Sequence, residues 1–452
     1  MAEITKFYTT IRGTKLAKQI VAKSSFGNFQ SLPNEMFVEI LRHLSIDDLG
    51  ILSMTSSKIR AFIISTFILS PNGIRKLNNY QCLNLKTLSI NYISIIFDKL
   101  VNEIPQSIGY FLKRCTFVLP TKIRIHLLEH IFEQTFGAPM LKVFENFNYP
   151  VARLVFKSYS KIINCFVSGW CDFEIYKVYD FLYEICAINR LIETVHVFTV
   201  ASFGKLKLEI YIRSFFRMIF NQLPESGITI QEKLKWLLTK LNTFTRKQWA
   251  KVLMLIFGPL KEMGNNPITC HYIPWIELAD QSFINNGLED LGSIVSTLYH
   301  YNDYLNIDRQ DVFKIFKEII IIDFPWLRRN IAALLVNSGT IFSNAFLRYK
   351  FQESTYEVCT YLIYMNIISS KLDRNFDQVV QMTNELLIDL GEIFVEIHCQ
   401  TLSNMIFDQF FDIVNFDDED FEIFDFINPH IHLLRLSFNL VTDDDDGDQE
   451  NP

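Results

Sequence analysis

The sequence predicts an all-α protein, and three observations carry that prediction. Apolar residues recur at three- and four-residue spacing through 122–136, 174–188, 206–221, 230–241, 246–257, 289–303, 309–322, 326–337 and 378–398. This is the repeat of helices that bury one stripe. Breaks punctuate the pattern at Pro105, Pro120, Gly137-Ala138-Pro139, Pro150, Leu223–Gly227, Gly258-Pro259, Gly264–Pro267 and Gly339. The intervening stretches of about 12–18 residues have the length of ordinary globular helices, and with short breaks they suit stacked antiparallel pairs.

Taken from the N-terminus, residues 1–30 carry Lys6, Arg12, Lys15, Lys18 and Lys23 against Glu3 alone, which reads as a basic, flexible arm. A cluster of short helices follows. Ser31 can cap the first, with Pro33 in its opening turn, where a missing N–H costs nothing. Glu35 puts negative charge near that positive helix end. Met36, Ile40, Leu41 and Leu44 then share one face. Ser45 followed by Asp48 reads as a second N-cap with an acidic partner three residues on. Leu49, Leu52 and Met54 give the second helix its apolar surface, and Ser56 or Ser57 can cap a third that carries Ile59 and Ile63.

Leu32-Pro33, Glu35, Ile40-Leu41, Leu44, Asp48-Leu49, Leu52, Ser56 and Arg60 stand in the order and spacing of the F-box, which this stretch closely resembles. Two positions depart from the family pattern: Ile59 stands where Trp is usual, and Ser57 where a basic residue is usual. The resemblance implies an F-box over 31–72 that docks a Skp-family adaptor through those eleven residues, and through it the cullin and RING subunits of an SCF ubiquitin ligase. Three short helices bury little core by themselves. Their remaining apolar face is therefore expected to find a partner, either elsewhere in the chain or on another protein.

Residues 73–440 are expected to form a helical body that binds a substrate or partner. Val312–Leu335 resembles one HEAT repeat: an apolar helix ends at Asp323, a turn holds Pro325, and a small-residue-rich helix follows Leu327-Arg328. No second clean copy and no fixed period appears, so the body reads as an irregular HEAT-like α-solenoid, with a compact helical bundle as the alternative. Leucine-rich, WD40 and kelch signatures are missing, which places the chain with the "F-box only" group of receptors. The end of the chain is acidic. Residues 408–425 hold eight acids and no Lys or Arg, alternating with Phe410, Phe411, Phe416, Phe421 and Phe424. These phenylalanines either pack back on the array or, with Asp417, Asp418, Glu419 and Asp420, present an acidic-aromatic surface to a basic client. Residues 441–452 read as a disordered acidic tail.

Composition narrows the classes. The chain is 49% hydrophobic with 41 Phe, yet charges interrupt every apolar run. Val252–Phe257 and Ile319–Ile322 fall far short of the roughly 18 residues a spanning helix needs. No apolar h-region follows the first charges. The eight cysteines contain no CxxC pair and read as reduced thiols. The expectation is an intracellular protein, nuclear or cytoplasmic, not secreted and with no membrane partner. The net charge of −7 and the lack of a basic patch interleaved with aromatics argue against nucleic acid.

Little suggests bond chemistry. His126-Leu-Leu-Glu129-His130 matches H-x-x-E-H, which on a helix could share a zinc between its histidines with Glu129 as base. The helix is otherwise an ordinary amphipathic one, and no third ligand can be identified. Leu234-Lys-Trp-Leu237-Leu238 fits LxxLL but reads as core. His430 and His432 are too few ligands for a metal, and P-loop, GxGxxG, GxSxG and HExxH patterns are missing. The expectation is a non-catalytic chain with no catalytic residue, metal or cofactor: a substrate receptor of an SCF-type ligase. The rival is a non-degradative scaffold that holds its client without promoting ubiquitination.

Overall fold

The computed structural model describes residues 32–70, 73, 103–136, 149–197, 203–221, 228–259, 261–262, 270–271, 281–321, 326–372 and 376–415. The basic arm at 1–30, the acidic residues 416–426 and the tail at 441–452 lie outside them. The described residues are helical throughout, apart from one antiparallel pairing of Lys261–Glu262 with Cys270–His271. They fall into two compact units, one reaching to Trp236 and the other starting at Leu237.

The first unit opens with α1 (Asn34–Arg42), α2 (Ile46–Thr55) and α3 (Ser57–Ile63). Helix α3 widens into a π-turn over Ile64–Ile68, where Leu69 N–H donates to Ile64 O at 2.9 Å. Then come α4 (Ile104–Thr116), α5 (Thr121–Phe136), α6 (Tyr149–Val167), α7 (Asp172–Ile185), α8 (Ile188–Val197), α9 (Phe203–Asn221) and α10 (Ile230–Leu241), the last shared between the units. Pro105 and Pro150 are second residues of α4 and α6, so these breaks mark helix starts, as a residue without an N–H permits. Helix α4 lies between α2 and α6, and α6 packs in turn on α9. Gly109 makes the α4–α6 approach possible: a Cβ there would sit 2.6 Å from Ile162 O and from Cys165 Cβ. Tyr179, Tyr183, Phe215, Phe216 and Trp236 interlock edge-to-face across α7, α9 and α10, and Trp236 Nε1 donates to Asp180 Oδ1 at 2.9 Å.

The second unit contains α11 (Arg246–Phe257), α12 (Gln281–His300), the short α13 (Asn302–Leu305), α14 (Arg309–Ile319), α15 (Arg328–Ser338), α16 (Thr340–Phe351), α17 (Thr355–Leu372), α18 (Phe376–Leu390) and α19 (Glu392–Asn415). Thr245 and Gln248 close a reciprocal capping box at the start of α11. The helices make a two-row ladder. Alternate helices α12, α15, α17 and α19 pack in succession as one row, while α16 packs on α18 in the other. Phe313 and Phe316 of α14 meet Phe342 and Phe346 of α16, with Phe316 and Phe346 centroids 4.6 Å apart, and Tyr299 of α12 joins the rows by meeting Phe342 at 5.5 Å. Part of the high Phe content is spent on such stacks.

Two expectations about the body change in detail, and one feature of its packing is added. The HEAT-like stretch 312–335 spans α14 and α15, but α14 packs chiefly on α11 and α12 whereas α15 packs on α12, α16 and α17. The two helices of the stretch therefore have different sets of neighbours, and Asp323 and Pro325 fall outside the described residues. The periodic stretch 378–398 is two helices, because Gly391 adopts φ +84° between α18 and α19. Finally, α15 is enclosed: Asn330 to Val336 are all buried, so this row does not present an open face at α15.

Candidate functional site

The candidate site is the surface of α1 and α2. Helix α1 begins at Asn34, with Pro33 as its cap residue and no side-chain cap, and Phe37 N–H donates to Pro33 O at 3.1 Å. The chain turns at Leu44-Ser45. There Asp48 N–H donates to Ser45 Oγ at 3.1 Å, and Ser45 Oγ–H donates to Asp48 Oδ2 at 2.6 Å, the predicted cap of α2. Ser56 precedes α3 without a side-chain cap bond, and its buried hydroxyl has no partner.

Burial sorts the predicted residues into two groups. Leu41 and Leu49 are fully buried, as are Phe37, Ile59 and Ile63 around them, and Phe37 meets Phe62 at 5.0 Å. These side chains hold the three helices together. Leu32, Leu44, Leu52, Ser56 and Arg60 are half-buried, while Pro33, Glu35, Ile40 and Asp48 are exposed. Sequence reasoning left Met36, Ile51 and Met54 off the docking set, yet with Ile40 they are the large apolar side chains that this region leaves between 40% and 56% exposed. Their signal was present: Met36 and Ile40 are four apart and Ile51 and Met54 three apart, so each pair shares one helix face.

The opposite side of α2 is sealed by the same chain. Asp47 Oδ2 accepts from Ser107 Oγ at 3.0 Å, and Asp47 Oδ1 lies 3.3 Å from Arg114 Nη1. Gly50 lies flat on α4, where a Cβ would meet Arg114 Cδ at 3.0 Å and the Phe111 backbone at 3.5 Å. Arg60 Nε donates to Ser53 O at 3.1 Å and its guanidinium lies 4.6 Å from the Phe117 ring centroid. Burial pushes the neighbouring Cys115 thiol up to about 12, which keeps it protonated and inert. The partner that the three helices needed is thus partly internal: α4 takes one face of α2, and the other keeps its apolar residues in water.

The other candidates resolve plainly. His126 Nδ1 lies 3.8 Å from Glu129 Oε2 on α5, and no group of three or more His, Cys, Asp or Glu among the described residues is placed to hold a metal. Leu234, Leu237 and Leu238 are buried core. No helix among the described residues is long and apolar enough to cross a membrane. Asp417, Asp418, Glu419 and Asp420, together with His430 and His432, lie outside the described residues.

Comparison with known proteins agrees with this geometry. The F-box domain family model matches residues 29–68, the span of α1, α2, α3 and the π-turn. This three-helix module is therefore similar to an F-box domain. A second family model, described as "FBXO47, ARM repeats", matches residues 187–397, from α8 through the ladder. The chain is 26% identical over 365 residues to F-box only protein 47 of Homo sapiens, covering 80% of this chain and 76% of that protein. It is 26% identical over 366 residues to F-box only protein 47 of Mus musculus, with the same coverage. No solved structure matches the chain.

Proposed function

We propose that this chain is the substrate-recognition subunit of an SCF-type E3 ubiquitin ligase. The observation that carries the proposal is the split character of α2: one face is closed on α4, and the other, with α1, leaves Met36, Ile40, Ile51 and Met54 in solvent. Exposed apolar side chains on a small helical module mark a protein-docking surface, and the F-box match supports a Skp-family adaptor as the occupant. The adaptor then joins the chain to cullin, RING and the charged E2 enzyme in the nucleus or cytoplasm.

The mechanism is proximity. Holding a client near the E2 turns an encounter into an effectively intramolecular reaction, worth millimolar effective concentrations for short spans. This chain supplies binding and positioning, with no residue making or breaking a bond. The helical body and the acidic residues Asp417, Asp418, Glu419 and Asp420 are the proposed client contacts, the acids suiting a basic partner.

Replacing Leu32-Pro33 with Ala-Ala is expected to abolish co-purification of the adaptor while the body keeps its circular dichroism spectrum. Unchanged co-purification would refute the docking role. A degraded client should rise in abundance when the chain is removed, whereas a fall would identify a stabilising scaffold. Client binding through the acids should weaken as salt shortens screening below about 8 Å. Converting the four acids to Asn and Gln should reproduce that loss at low salt.

A further inference from the structure

We propose that the adaptor-docking surface does not stop at the F-box but continues onto the two helix-entry turns beside it, at Phe117-Val118 and Phe173. This rests on the adaptor-docking reading above and extends it to residues outside the F-box.

The first unit exposes three large apolar side chains at these turns: Phe117, Val118 and Phe173 are 49–68% exposed. The two turns are tied to each other, since Thr121 Oγ1 donates to Glu174 Oε1 at 2.6 Å. That bond draws the Glu174 carboxyl below its usual range, so the tie is charge-assisted at neutral pH. Arg124 stiffens the same corner, its guanidinium 3.7 Å from the Trp170 ring centroid. The turns are also tied to the F-box. Arg60 of α3 donates through Nε to Ser53 O, next to exposed Met54, and lies over the Phe117 ring. Parallel packing carries α2 and α4 to the same end, with Asp47 beside Ser107 at the start and Arg60 bridging Ser53 to Phe117 at the finish. A path of held side chains thus leads from Met54 through Arg60 to Phe117-Val118, and through Thr121 and Glu174 to Phe173.

The occupant follows from this continuity and from area. A stable protein–protein interface takes about 800 Å² from each partner. Half of α2 is already spent on α4, which leaves the F-box a narrow strip. A protein seated on Met36, Ile40, Ile51 and Met54 that extends past Arg60 meets Phe117-Val118 after α4 and then Phe173 at the start of α7. Ordered apolar side chains fixed by a charge-assisted tie lose little entropy on binding, which favours their use as anchors at the edge of that interface.

The test measures affinity of recombinant Skp-family adaptor for the full chain by titration calorimetry, with melting temperature as the folding control. Val118→Asp and Phe173→Asp are each expected to raise Kd by about tenfold, and together by more, with the melting temperature unchanged. Val118→Ser and Phe173→Ser, milder at exposed positions, should show the same direction. Met36→Asp should lose binding altogether. Wild-type affinity in the Val118 and Phe173 variants, with binding lost in Met36→Asp, would overturn the extension and leave F-box docking standing. Undiminished binding in Met36→Asp would overturn F-box docking and the extension with it.

Discussion

Helices α1 and α2 and helix α15 solve opposite problems with similar amino acids. The first two, only 9 and 10 residues long, bury Phe37, Leu41, Ile46 and Leu49 and leave Met36, Ile40, Ile51 and Met54 in water. Helix α15 has 11 residues and buries all of Asn330 to Val336. The difference is neighbours. Helix α15 has α12, α16 and α17 around it, whereas α2 packs on α4 and α3 and leaves its remaining face to water. Stability comes from enclosed rungs such as α15, and the proposed adaptor docking uses the exposed strip of α1 and α2. Adaptor docking and body stability should therefore separate under mutation.

The largest test of that separation is Phe316→Ala. Phe316 is fully buried and meets Phe342 at 5.2 Å and Phe346 at 4.6 Å. The loss should be about 3–5 kcal/mol, seen in denaturant melts, with adaptor affinity unchanged under native conditions. Leu41→Ala should reverse the pattern: about 2–5 kcal/mol lost from the F-box core and adaptor binding lost with it, while ladder amides stay protected from exchange.

The second unit also carries a pH liability that the F-box lacks. His398 is fully buried in α19, with no hydrogen-bond partner on either ring nitrogen. Burial depresses its pKa from 6.5 to about 4. The unfolded chain therefore binds a proton that the folded chain excludes, and the stability present above pH 6.5 is lost as pH falls toward 4. The full loss is on the order of 3 kcal/mol, and His398→Leu should flatten the pH dependence of the melting temperature. Gly109→Ala should cost about 1–3 kcal/mol by forcing α4 off α6, a change that reaches α2 through the Asp47 contacts. Ser45→Ala is the smallest, about 1 kcal/mol for a lost cap.

The F-box was legible because its signals are local. Ser45 and Asp48 cap each other three residues apart, and Leu41 and Leu49 sit at core spacing. Its partner helix was not: α4 pairs Asp47 with Ser107 and Arg114, 60 and 67 residues away, and nothing local marks that meeting. In the body, helices with one apolar stripe were readable. Helices α6, α16 and α17 were not among the periodic stretches; in α17 Val358 to Ile363 are buried on successive sides, which blurs the stripe. The HEAT-like stretch was legible as two helices but not in its packing, because a turn sequence states where helices end, not which neighbours they pack against. On the docking surface, the spacing of Ile51 and Met54 was visible, but only the position of α4 shows that they face outward.

Hydrogen exchange of the full chain with and without saturating adaptor tests the central claim most directly. The account predicts slowed exchange across Asn34–Arg42 and Ile46–Thr55 on adaptor addition, with Arg328–Ser338 unchanged. Unaltered exchange in those two F-box helices, under conditions where the adaptor is bound, would contradict it.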